Sequence, residues 1–150
     1  MKIFSRFIFK RSHHIRGPNG INATELEITK NIELYKYIGG QIRAYFIEWY
    51  QQDAFPKIEL YVPADHDEFV QVAFNKNYID EVQILDVDCT IIDSCSLVIA
   101  YGSIELSRGM KVEVEHAVGV QVPVYFMPSL SEGSIGSLKF TIHTLLKQEE

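Results

Sequence analysis

Two side chains and one glycine have the types and spacing for chemistry: Ser107, Gly109 and Glu113. They stand where an apolar run gives way to an amphipathic segment. A glutamate in the second turn of a helix feels the positive end of the helix dipole, which favours its ionised form. An ionised glutamate serves as a nucleophile or as the electrostatic partner of a developing positive charge. A serine hydroxyl and the free amides of the same helix start hold an anion. Glu115 stands two residues after Glu113, about 200° round a helix of ~3.6 residues per turn, so at most one of the two faces a site. The plainer alternative is that both lie on a solvated face. Asp86 and Asp88 taken alone suit either a metal-binding pair or solvated helix surface, and no cluster of hard ligands accompanies them.

The elements that must position these residues are legible from pattern. Leu97-Val98-Ile99-Ala100 is the short apolar run of a strand buried on both faces. From Gly109 a helix is expected, with Met110, Val114, Ala117 and Val118 on its inner side and Gly119 ending it. Strand, polar turn, helix is how an open α/β sheet presents a ligand site. Ile3 to Phe9 reads as a first strand, and Arg6 within it argues against a cleaved secretory leader. A long polar loop follows, with Arg11, Ser12, His13, His14 and Arg16 ahead of Gly17-Pro18-Asn19-Gly20. The adjacent histidines diverge and have no partner at zinc spacing, so contact with an anion or plain solvent exposure is the expectation.

Thr24 with Glu27 forms a capping-box pattern ahead of a helix reaching about residue 49, along the stripe Ile28, Ile32, Tyr35, Ile38, Ile42, Tyr45 and Trp49. Gly39-Gly40 interrupts it, which a close helix–helix contact, as in a dimer, or a break would explain. Ile58 to Val62 is a second strand. Asp65 with Glu68 resembles another capping box and leads a helix to about Tyr78. A helix over Asp80 to Ser94 turns Val82, Leu85, Cys89 and Ile92 inward. Val120 to Met127 is a fourth strand, placed near an edge by Pro123. Pro128 to Gly136 reads as a loop, and Leu138, Ile142, Leu145 and Leu146 mark a terminal helix. His66 and His116 read as surface residues, Asp93 as a helix-end residue and His143 as structural.

Strands alternating with helices predict one domain over residues 1–150: a three-layer α/β sandwich of Rossmann/flavodoxin-like type, with a central parallel sheet of four or five strands. With 150 residues, 47% of them hydrophobic, the chain can build a core without disulfide or metal. A net charge of −6 argues against nucleic acid as a partner, and no apolar stretch is long enough to span a bilayer. Cys89 and Cys95 point to a reducing, cytoplasmic setting and a structural role.

Ser107-Arg108-Gly109-Met110-Lys111-Val112-Glu113-Val114-Glu115-His116-Ala117, preceded by Ser96 to Ala100, resembles the nucleoside 2-deoxyribosyltransferase superfamily. The match is nearer to the branch that hydrolyses 2′-deoxynucleoside 5′-monophosphates, in which a serine stands six residues before the nucleophilic glutamate, as Ser107 does before Glu113. Asp88 is similar in spacing to the family's acidic residue before the central strand. The first loop departs from the family's pattern, and the run Val62 to Phe69 has no counterpart in it. The resemblance implies a small-molecule nucleotide substrate, no cofactor, no metal and a homodimer. It implies that Glu113 attacks or stabilises the anomeric carbon. Asp88 would orient sugar or water, or protonate the departing base. Ser107, Gly109, Arg11, Ser12, His13, His14 and Arg16 would contact phosphate or base. The loop serines Ser129, Ser131 and Ser134 would reach a neighbouring subunit's phosphate. Base exchange between nucleosides, or nucleotide binding without turnover, are the alternative outcomes.

Overall fold

The computed structural model describes the backbone of residues 1–7, 25–102 and 108–149, and the side chains of 1–3, 32–102 and 109–149. Ten elements follow one another: β1 (Lys2–Phe7), α1 (Glu25–Gln51), β2 (Glu59–Tyr61), a 3-10 turn (Pro63–His66), α2 (Asp67–Asn75), α3 (Glu81–Asp93), β3 (Leu97–Tyr101), α4 (Arg108–Gly119), β4 (Val124–Met127) and α5 (Glu132–Gln148). The sheet has four strands in the order β2-β1-β3-β4, all parallel. Helices cover both of its faces, so the expected three-layer α/β sandwich is the architecture, with four strands.

Alternation along the strands divides the core in two. Ile3, Leu60, Leu97, Ile99 and Met127 point to one face, where they pack with Ile38, Ile42, Phe46 and Trp49 of α1 and Ile135, Leu138 and Ile142 of α5. Val98 points to the other face and packs with Ile92 of α3, Ala117 of α4, Cys95 and Val122. Strand order reverses between β1 and β3, whose following helices lie on opposite faces, and this is the switch point at which open α/β sheets hold ligands.

Several boundaries differ from expectation, each for a physical reason. Gly39-Gly40 does not break α1. A Cβ on Gly39 would lie 2.8 Å from Val62 Cγ2, so that glycine admits the close approach of the segment after β2, whereas Gly40 meets nothing within 4 Å. Asp65 does not cap a helix, because it pairs with Arg43 at 3.0 Å; the helix that follows starts at Asp67, with no side-chain cap from His66. The full capping box is at Asp80 and Gln83, opening α3. β4 is shorter than expected, since Val120 and Gln121 form a turn with Gln121 at φ 63°. Of the serine- and glycine-rich stretch expected as a loop, Pro128 to Ser131 is loop, while Glu132 to Gly136 begins α5, capped by Ser131. The Thr24 and Glu27 capping pattern lies outside the described side chains.

Candidate functional site

The inner faces of α3 and α4 each carry an acid beside the apolar positions that periodicity placed there. Val82 and Val118 are exposed, while Asp88 is 7% exposed and Glu113 0%. On α4 the buried positions are Met110, Glu113 and Ala117, a single stripe at i, i+3 and i+7. Glu115 is exposed, so one member of the acid pair faces inward, and it is Glu113. Asp86 is likewise exposed while Asp88 is buried. Neither buried acid lies on a solvated helix face. Burying a carboxylate costs several kcal/mol, more than an apolar residue would cost in its place, and such positions are enriched in functional sites.

Two contacts fix the register of α3 against α4. Near the start of α4, Gly109 approaches α3 so closely that a Cβ there would stand 3.2 Å from Leu85 Cδ2. Towards the other end His116 Nε2 meets Asp93 Oδ1 at 2.6 Å. Leu85 to Asp93 and Gly109 to His116 run in the same direction over nearly equal lengths. The two helices therefore lie parallel, with Asp88 and Cys89 level with Val112 and Glu113. The Cys89 thiol reports that placement: burial first, then the carboxylates of Glu113 and Asp88, push its pKa above the ordinary thiol value. The His116–Asp93 pair joins residues 23 apart, and its members carried no sequence signal beyond surface polarity.

Gly109 stands in the first turn of α4, where free amides face the carboxyl edge of the sheet. β3 is followed by Gly102 at φ 118°, a conformation suited to glycine, and the Gly102 N–H donates to Met127 O at 2.9 Å. At the neighbouring strand end the three serines come together. Ser131 Oγ accepts from Ser134 N–H at 3.2 Å and donates to Ser134 Oγ at 3.1 Å. Ser129 Oγ accepts from Ser131 N–H at 3.3 Å. Tyr125 O–H donates to Ser134 O at 2.9 Å and ties the cluster to β4. These hydroxyls cap α5 and one another at the sheet edge that also carries the start of α4.

Ser107, Arg11, Ser12, His13, His14 and Arg16 lie outside the described residues. Of the other histidines, His66 is exposed and stacks on Tyr61 with ring centroids 5.2 Å apart, and His143 meets Phe55 edge-on. Among the described residues, no group of three or more His, Cys, Asp or Glu is arranged to hold a metal, and no helix is long and apolar enough to cross a membrane. The site is thus a buried acid pair between two parallel helices, beside the switch point of a Rossmann-like sheet. Comparison of the chain with protein-family models, curated proteins and solved structures returned no match.

Proposed function

We propose that the protein cleaves the N-glycosidic bond of a nucleoside 5′-monophosphate, with a 2′-deoxynucleotide as the leading candidate, releasing the free base and a sugar phosphate. The observation that supports this most is Glu113, fully buried on the inner face of α4 and level with Asp88 across the helix pair. Cleavage at C1′ builds positive charge on the sugar, and a carboxylate beneath the ring answers that charge. In this reading the Glu113 carboxylate bonds to C1′ as the C1′–N bond breaks, and the base departs with that electron pair and gains a proton. Water then bonds to C1′ and returns a proton to the group that protonated the base, the ester to Glu113 breaks, and the carboxylate is restored. Asp88 orients the sugar or the water, or supplies the proton to the base.

Ser107, Gly109 and the first amides of α4 are assigned to the 5′-phosphate. Arg11, Ser12, His13, His14 and Arg16 are assigned to phosphate and base. Ser129 and Ser131 are assigned to a neighbouring subunit's phosphate, which makes a homodimer part of the reading. Two free thiols, Cys89 and Cys95, fit action in the cytoplasm.

The test is incubation with a panel of nucleoside monophosphates and the matching nucleosides, following free base, with wild type beside Glu113→Ala. Base released by wild type alone, and faster from monophosphates, is the expected result. Tight nucleotide binding without release would replace the enzyme with a binding module. Base exchange on adding an acceptor base would make the protein a transferase.

A further inference from the structure

The outer edge of β2 borders a groove that the activity above does not use. Among the described residues β2 pairs with β1 alone, in the register Lys2↔Glu59, Ile3↔Leu60 and Phe4↔Tyr61. Glu59 N–H donates to Met1 O at 3.0 Å, so Glu59 turns its backbone to β1 and the flanking Ile58 and Leu60 turn theirs outward. Lys57 and Glu59 are exposed while Ile58 and Leu60 are buried, which carries the alternation of an extended strand back to Lys57. On the side of Ile58 and Leu60, α1 sets Ile47 and Tyr50, each 52% exposed, over a groove of about 700 Å³ along this edge.

Backbone and charge along this edge fit a second copy of the same edge. A two-fold axis pairs a strand with its own copy antiparallel, and the residue on the axis sets the register. With Pro56 on the axis, the central pair has no N–H to donate. With Lys57 or Glu59 there, like charges stand face to face. With Leu60 there, Leu60 O must accept from the copy, yet it already accepts from Arg43 Nη2 at 3.1 Å, and Asp65 holds that guanidinium at 3.0 Å. With Ile58 on the axis none of these faults arises. Lys57 then stands opposite the copy's Glu59, on both sides of the axis. Leu60 stands opposite the copy's Pro56, whose missing N–H leaves Leu60 O to Arg43.

We propose that β2 pairs with β2 of a second copy of this chain about a two-fold axis at Ile58, joining the two sheets into one. Ile58 N–H donates to the copy's Ile58 O and Leu60 N–H to its Pro56 O, and the copy returns both bonds. Each Glu59 lies between Lys2 of its own chain and Lys57 of the other. Ile47 and Tyr50 of both copies close over the joined strands. β4, which leads to Ser129 and Ser131, is the opposite edge of the sheet, so this interface is separate from the one the loop serines require. The proposal is independent of the activity assigned to Glu113.

The experiment measures self-association of the full chain by sedimentation equilibrium, with charge swaps beside the axis at exposed positions that leave the core untouched. Lys57→Glu alone and Glu59→Lys alone should each weaken association at least about tenfold, because each turns attraction into repulsion twice over. An equimolar mixture of the two variants restores both opposite-charge pairs and should associate within about threefold of wild type. In wild type, hydrogen exchange at the Ile58 and Leu60 amides should be slow when the chain is concentrated and quicken on dilution. A wild type that stays monomeric, association indifferent to the swaps, single variants that do not recover on mixing, or exchange at those amides independent of concentration would each overturn the proposal.

Discussion

The two faces of the sheet are built to different specifications. Under α1 and α5 lies the larger apolar cluster, sixteen buried residues among those described, and the polar side chain these two helices bury is the uncharged Ser134. Under α3 and α4 lies a smaller one of five, and the helices that cover it bury Asp88 and Glu113 as well. Apolar burial stabilises, and a buried carboxylate does not unless its surroundings compensate it. Among the described residues, one face therefore carries most of the apolar burial, and the other buries two acids.

The comparison can be broken first on the large face. Leu138→Ala removes a fully buried side chain there and should cost roughly 2–5 kcal/mol in denaturant unfolding. Val118→Ala, exposed on α4, should stay within about 0.5 kcal/mol. Equal losses would mean that Leu138 does not hold the buried place that the fold gives it. Next, Gly39→Ala pushes a methyl into Val62 and should cost about 1–3 kcal/mol, whereas Gly40→Ala, with open space around it, should gain up to about 1 kcal/mol.

The small face is sharpened by a milder effect. Glu113→Gln keeps the shape of a fully buried side chain and removes its charge, so the change in melting temperature measures what that charge contributes. The same variant should speed alkylation of Cys89 at fixed pH, followed by mass spectrometry. The sign follows from the chemistry: thiolate is the reactive form, and burial with negative neighbours holds Cys89 protonated above the ordinary thiol range. Removing one of those neighbours brings its pKa down. By linkage, the native thiol keeps its proton at a pH where the unfolded one has lost it, so Cys89 contributes stability below the ordinary thiol pKa that is lost as pH rises towards the native value. An unchanged rate in Glu113→Gln would mean that position 113 carries no charge beside the thiol.

What could be read from sequence divides along the same line. β3 was placed to the residue, because Leu97 to Ala100 has the unbroken apolar run that only a doubly covered strand needs. The large face was legible for a related reason: Ile38, Ile42 and Trp49 keep helical spacing over the C-terminal half of α1. On the small face periodicity held for Ile92, Met110 and Ala117, which are buried, and failed for Val82 and Val118, which are exposed. Glu113 was singled out by its place in the helix after the apolar run, and Asp88 by the resemblance. Turn chemistry misled too, since Gln121 takes a left-handed conformation without being glycine, and Ser131 caps a helix inside what composition describes as a loop. The His116–Asp93 pair is a tertiary event between two helices and leaves no local trace.

The most direct measurement stops the reaction of wild type with a 2′-deoxynucleoside 5′-monophosphate by acid quench and weighs the peptide that contains Glu113. A mass increase equal to deoxyribose phosphate less water, located on Glu113 and absent from Glu113→Gln, is the predicted result. Base release at the wild-type rate by Glu113→Gln would contradict the account.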